Sequence, residues 1–352
     1  MTSKWLLIFV PIGIALAWLK LSPALVFFAS ALSVIPLANL MGDATEELSA
    51  SMGSAKGGLL NATMGTVPDI IIGFFALKHG LVDMVKASIT GAILGNLLLG
   101  LGLAILLGGL RVEKALGYDM KATHQYGGLL LLATFGLIIP AVFDYSAHAN
   151  EEISLEISLV LFLTYIVSVL FTLTDRMTDT DYPRLPIAVN HEHDKTHTKS
   201  INPLFQLALV MIGLAVMSEV MTDSIGPAAE SFGFTPLFAG IFLLAPVGMA
   251  SEMINAVRFA RKNQLDISLA ITQGSSTQMV LLVAPLLVFL GLAMGKEMNL
   301  LFSKFEVIAI IFSVAAANNI LNLGTVRWVS GPKLIAIYTM LGFGFYYAPL
   351  PA

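Results

Sequence analysis

Residues 57–72 read GGLLNATMGTVPDIII, and residues 245–257 read APVGMASEMINAV. Each run sets one acid, Asp69 or Glu252, just after a glycine and a proline in otherwise apolar surroundings. A constant shift of 183 positions (248 − 65) places Gly65 on Gly248 and Asp69 on Glu252. The same shift places Asp83 on Asp266 and Gly91 on Gly274. Four pairs in one register predict that the two halves of the chain repeat one unit.

The surroundings say where that unit lives. Hydrophobic residues make up 57% of the 352 positions and charged residues only 12%, with a mean hydropathy of +0.84. That balance excludes an ordinary soluble globular domain. A helix needs about 20 apolar residues to cross a hydrocarbon core of ~30 Å. The apolar runs predict an all-α membrane protein of about eleven transmembrane helices, near residues 5–19, 23–45, 58–77, 84–108, 127–143, 153–174, 203–222, 236–257, 267–293, 305–323 and 331–349. Lys4 before the first run would also suit a signal peptide, but no small-residue cleavage site separates that run from the next.

Five of these spans separate the members of each pair, so related segments enter the membrane from opposite sides. That is the arrangement of inverted-repeat transporters, whose substrate sites lie where the repeats meet. The expected organisation is an N-terminal transmembrane helix over 1–22, a first inverted five-helix repeat over 23–174, a cytoplasmic linker over 175–202 and a second repeat over 203–352. With the N-terminus inside, fourteen of the nineteen Lys and Arg residues fall on the cytoplasmic side, leaving only Lys20, Lys78, Lys86, Lys296 and Lys304 outside. The N-terminus is therefore expected in the cytoplasm and the C-terminus outside, in a plasma membrane such as the bacterial inner membrane.

Cysteine is absent, which excludes disulfides and thiolate ligation of metals. The linker carries His191, His193 and His197 beside Glu192 and Asp194, a set that suits either a metal such as zinc or a solvated loop. No H-E-x-x-H pair lies within a span, and no nucleophile adjoins the intramembrane acids, so an enzyme is not expected. Nor does the chain call for a cofactor or a nucleic-acid partner. Its partners are expected to be inorganic cations, protons and the bilayer.

An acid within the membrane costs at least ~2.5 kcal/mol unless something there stabilises it. Gly65 and Pro68 precede one acid, Pro246 and Gly248 the other. Proline removes an amide donor and clashes with the carbonyl four residues back, which frees main-chain oxygens nearby. Two carboxylates with carbonyls and neutral side-chain oxygens suit a hard cation such as calcium or sodium. Metals that prefer sulfur or imidazole are poorly served, because of the six histidines only His148 approaches a span interior. After each acidic segment comes a polar, glycine-rich span, SITGAILGNLLLG (88–100) and ITQGSSTQMVLL (271–282). Ser88, Thr90, Asn96, Ser275, Ser276, Thr277 and Gln278 either complete coordination or pack helices together. Asn96 and Gln278 lean to coordination, since a buried amide is costly to leave unpaired. Gly65, Thr66, Asp69, Asn96, Gly248, Glu252, Ser275 and Gln278 make up the candidate cation site. Glu46 in MGDATEELS and Glu219 in VMSEVMTDS are candidate secondary ion or proton sites, or ordinary interfacial acids.

At these residues the chain resembles the cation/proton exchangers of the calcium/cation antiporter superfamily. GGLLNATMG, ALKHGL, ITGAILGNLLL, AESFG and RKNQLDISLAITQGSSTQ carry the resemblance, together with the eleven-span layout. It implies exchange of calcium or another divalent cation for protons, with Asp69 and Glu252 as the central acids and Glu46 and Glu219 as peripheral ones. Family repeats read G-N-A-x-E, whereas here they read Gly65-Thr66-Val67-Pro68-Asp69 and Gly248-Met249-Ala250-Ser251-Glu252, followed by Met253 in place of a usual histidine. A late D-G-x-S-N-W-x-E-G stretch appears as LGTVRWVSG, with Arg327 and Ser330 at polar or acidic positions. The Thr-Val-Pro-Asp run also resembles the sodium/calcium exchanger branch, which implies sodium or another monovalent cation as an alternative coupling ion. A membrane scaffold or sensor that has lost transport is the alternative from another class. The expected mechanism is alternating access, with cation and protons competing for a pair of carboxylates that titrate together.

Overall fold

The computed structural model of the chain describes residues 4–50, 52, 60, 63–112, 115–147, 150–174 and 202–348. Its helices run α1 (Phe9–Trp18), α2 (Pro23–Ala50), α3 (Val67–Lys78), α4 (Val82–Val112), α5 (Met120–Ala147), α6 (Asn150–Thr174), α7 (Pro203–Ser231), α8 (Pro236–Ala260), α9 (Leu265–Ala293), α10 (Lys304–Ile320) and α11 (Ser330–Tyr346). Among the described residues seven helices, α2 and α4 to α9, are long and apolar enough to cross a membrane. Large apolar side chains point outward along several of the helices, including Val167 at 64% exposure on α6, Ile212 at 63% on α7 and Phe312 at 62% on α10. Outward apolar surface on this scale is what a lipid-facing bundle presents.

Local chemistry explains where the helices begin. Asn202 caps α7 by accepting a hydrogen bond from the Leu204 amide at 3.1 Å, and Pro203 follows at the first helical position. Thr235 and Pro236 start α8 in the same way. Ser303 and Glu306 form a capping box at α10. Past the ends of α3 and α8 stand Gly80 (φ 76°) and Asn263 (φ 61°), the two residue types that adopt a left-handed turn most readily. They too lie 183 positions apart.

Three helices widen into π turns: α4 at Gly95–Gly100, α8 at Gly240–Leu244 and α9 at Met279–Val283. Pro246 and Pro285 follow the turns in α8 and α9 directly, where the wider spiral accommodates the missing amide and the clash of the ring. Glycine permits the closest crossing. A Cβ at Gly91 of α4 would come within 2.7 Å of the Ile241 backbone of α8, so the two helices touch main chain to main chain there.

The buried apolar side chains form two main clusters. One joins α2 and α7, with Phe27, Val34, Met41, Leu214, Met217 and Ile225 at its heart, and takes in Ile72 of α3, Met84 of α4 and Leu244 of α8. The larger runs through α4, α5, α8, α9 and α10 and includes Ile93, Leu97, Leu130, Ala256, Val280 and Ile310.

The structure corrects two details of the sequence reading. The span expected over 58–77 breaks at Thr66, a turn residue, and α3 begins at Val67. Asp69 therefore lies in a first helical turn rather than mid-helix. A two-residue antiparallel clip, Leu116–Gly117 with Val326–Thr325, was not expected in an all-helical chain. It ties the loop after α4 to the loop before α11. The histidines of the linker and His148 lie outside the described residues.

Candidate cation site

Asp69 stands in the first turn of α3, where unpaired amides and the helix dipole favour negative charge. Pro68 suits that position, because the first amides of a helix have no partner within it. Thr66, buried to 1% exposure, precedes the helix and donates its hydroxyl to the Thr63 carbonyl at 2.9 Å. Gly65 adjoins it on the exposed side.

Glu252 comes to the same place from α8. Asp69 and Glu252 are electrostatic neighbours, and both are partly buried. The backbone brings them together at Gly248, one turn before Glu252. A Cβ there would fall on Asp69 Oδ1, so only glycine lets the carboxylate of α3 rest against α8.

The π turn of α4 and the polar stretch of α9 complete the set around Glu252. Ser275 donates its hydroxyl to Glu252 Oε2 at 2.5 Å, and Asn96 Nδ2 donates to the same oxygen at 3.2 Å. Asn96 Nδ2 also reaches Ser275 Oγ at 3.1 Å, closing a triangle of side chains from α4, α8 and α9. Asn96 Oδ1 is buried and has no hydrogen-bond partner among the described residues, which leaves a carbonyl-type oxygen beside the carboxylate. Placement of Asn96 within a π turn fits the tendency of such turns to mark functional sites.

Of the remaining candidates, Gln278 is partly buried one helical turn beyond Ser275, immediately before the π turn of α9. Thr90, Ser276 and Thr277 serve structure: Thr90 donates to Glu306 at 3.0 Å, Ser276 to the Thr272 carbonyl and Thr277 to the Gln273 carbonyl. Glu46 is partly buried in the last two turns of α2. Glu219 is held by Lys78 in an ion pair of 2.6 Å between α7 and the end of α3. Sequence reading passed over Glu306, a carboxylate buried to 4% exposure. The Ser-x-x-Glu spacing at 303–306, directly before an apolar run, is the signal that marks it, and it serves as a helix cap.

The assembled oxygens comprise two carboxylates, an amide carbonyl and a hydroxyl. This is a hard-cation set, and among the described residues no group of three or more His, Cys, Asp or Glu side chains offers a rival site.

Comparison with known proteins agrees with this chemistry. The family model described as sodium/calcium exchanger protein matches residues 22–174 and 202–347. A Ca(2+)/H(+) antiporter of Aphanothece halophytica is 36% identical over 98% of this chain and 96% of its own length. The Ca(2+)/H(+) antiporter ChaA of Bacillus subtilis is 33% identical over 96% of each chain. The solved structure of native YfkE superposes with a TM-score of 0.82 at 32% identity, covering 96% of this chain and 97% of that one. An apolar helical bundle matched over nearly its whole length is an integral membrane protein that belongs to the sodium/calcium exchanger family.

Proposed function

We propose that the chain is a calcium/proton antiporter, binding the cation between Asp69 and Glu252 and releasing it when protons take its place. The observation that carries this reading is the contact of Asp69 with Gly248. It joins the acidic segments of the two halves at one point, where Ser275 and Asn96 supply further oxygens. Calcium takes six to eight oxygens at about 2.3–2.6 Å. The two carboxylates and the oxygens of Asn96, Ser275 and Gln278 meet part of that need, and main-chain carbonyls near Gly65, Thr66 and Gly248 are the natural remainder.

The rest of the architecture follows in the same reading. Eleven helices cross the membrane, with an extra helix over 1–22 before two inverted repeats over 23–174 and 203–352. The two segments of the family match, 22–174 and 202–347, support that division, as do the left-handed turns at Gly80 and Asn263. The linker at 175–202 and the N-terminus are cytoplasmic, the C-terminus is outside, and the membrane is a plasma membrane. Glu46 and Glu219 serve as outlying ion or proton sites. The names borne by the relatives support the proton, rather than sodium, as the coupling ion.

Tracer calcium uptake into proteoliposomes tests the proposal. An imposed pH gradient should drive flux that Asp69→Asn abolishes. Flux that needs a sodium gradient instead, or flux that survives Asp69→Asn at the normal rate, would overturn it.

A further inference from the structure

Beside Asp69 lies a small cavity of about 10 Å³, lined by Ile72 of α3, Ser88 and Ile89 of α4, Leu244 and Ala245 of α8, and Met279, Val283 and Leu287 of α9. Its position relative to the site is one-sided. Ile72 follows Asp69 toward the C-terminal end of α3, and Ser88 precedes Asn96 toward the N-terminal end of α4. Leu244 precedes Glu252 in α8, and Val283 follows Ser275 in α9. Every one of these displacements leads from the acid pair toward the same end of the bundle, the end that holds Lys78 and Val82.

The lining identifies what the cavity can hold. Apart from Asp69 itself, Ser88 is the one polar residue among those that line it, and the others are aliphatic or methionine. A calcium ion with six to eight oxygen ligands is excluded by number, and magnesium by its demand for a full octahedron. A water molecule needs only two to four polar partners and a cavity of about this volume. The Ser88 hydroxyl donates to the Val85 carbonyl at 2.7 Å, so its own lone pairs remain available to accept. One water can thus donate one hydrogen to Ser88 and the other to the Asp69 carboxylate.

We infer that Ser88 is a positioning residue for cation binding, holding in this cavity a single water that fixes the Asp69 carboxylate against Gly248 and toward Glu252. Aspartate reaches one methylene less than glutamate, and a short carboxylate that must meet a ligand distance within a few tenths of an ångström gains from being held on both sides. On one side it rests on the backbone of α8 at Gly248. On the other, the water supplies the restraint. The inference rests on the antiport reading and adds to it the group that orients one of the two acids.

Two variants and their combination test it, in purified full-length protein reconstituted into liposomes. Ser88→Ala removes one of the two partners of the water. Val283→Ile adds one methyl group to the cavity wall and displaces the water without touching Ser88. Each should raise the KM for calcium about tenfold with kcat within about twofold of wild type. Ser88→Thr, which keeps the hydroxyl, should retain the wild-type KM. The double variant should be no worse than either single one, because both act through the same water. Additive effects in the double variant, an unchanged KM in Ser88→Ala, or a fall in kcat alone would overturn the inference. Absence of cation flux in the wild type would remove the functional reading and this inference together, whereas flux in the wild type with additive variants removes this inference alone.

Discussion

Gly65 and Gly248 stand 183 positions apart in the sequence, yet the structure gives them opposite sensitivity to one added methyl group. A Cβ at Gly248 would overlap Asp69 Oδ1. Carbon and oxygen rest about 3.5 Å apart in ordinary contact, so in Gly248→Ala the carboxylate must retreat by about 1 Å or more. Calcium ligands lie at about 2.3–2.6 Å, and a retreat of that size takes the oxygen out of coordination. Misplacement on this scale costs about a hundredfold, or about 2.7 kcal/mol of transition-state stabilisation. Among the described residues nothing lies within 4 Å of a Cβ at Gly65, so Gly65→Ala should stay within about twofold of wild type. Initial rates of pH-driven calcium uptake below KM, normalised to protein that elutes as a folded species, provide the comparison. Equal losses at the two glycines, or a Gly248→Ala protein retaining a third of its rate, would refute the reasoning.

Ser275→Ala removes the shortest hydrogen bond to Glu252 and should weaken calcium binding about tenfold in a direct titration, with Asn96 left as the neighbouring donor. Gly91→Leu drives a side chain into the Ile241 backbone and should abolish the folded protein, read as loss of a monodisperse peak after detergent extraction. Lys78→Ala breaks an ion pair whose side chains are 51% and 45% exposed, and its thermal midpoint should fall by no more than about 2 °C. Because the chain has no cysteine, Lys78→Cys with Glu219→Cys can be bridged by a short bifunctional thiol reagent. Bridging should stop calcium flux, and reduction of a cleavable bridge should return it to the level of the unbridged double variant.

Much of the fold was legible because membrane helices announce themselves. Every apolar run read from the sequence has a helix in the structure, and among the described residues seven of these are long and apolar enough to cross a membrane, where a backbone has to satisfy its own hydrogen bonds. The 183-residue register came from spacing alone, because glycine and acid are rare enough in such runs for their spacing to carry information. The local interruption at Thr66 was not. A turn before Val67-Pro68 depends on how α3 meets its neighbours, and hydropathy averages over it. Nor could spacing distinguish Ser275, which bonds Glu252, from Ser276 one residue later, which bonds back to its own helix at Thr272. That difference is a matter of 100° around a helix axis whose rotation is set by packing, and the π turn that follows shifts the register again. Gly248 was read as a helix breaker. Its actual work is steric, and only the position of Asp69 reveals it.

The distribution of polar ties between helices bears on how such a site can change its access. Within the larger core they are numerous and short: Asn96 and Ser275 on Glu252, Thr90 on Glu306 at 3.0 Å, Lys86 on Asn299 at 3.0 Å, and Ser268 of α9 on the Ala256 carbonyl of α8 at 2.7 Å. Between that core and the α2–α7 cluster the described ties are sparse. Ser251 reaches the Ile35 carbonyl at 3.4 Å, and Lys78 pairs with Glu219 and His79 lies 3.6 Å from Asp223 where solvent or headgroups screen them. Apolar contacts have no preferred direction, so a seam made mostly of them resists separation more than it resists sliding. Alternating access, as proposed here, requires the ligand geometry to survive while the walls around it shift. Directional bonds hold Glu252 to α4 and α9, and Asp69 rests on α8 at Gly248, so in the proposed exchange both acids would travel with one body. In that reading the seam that would shift is the apolar one against α2 and α7.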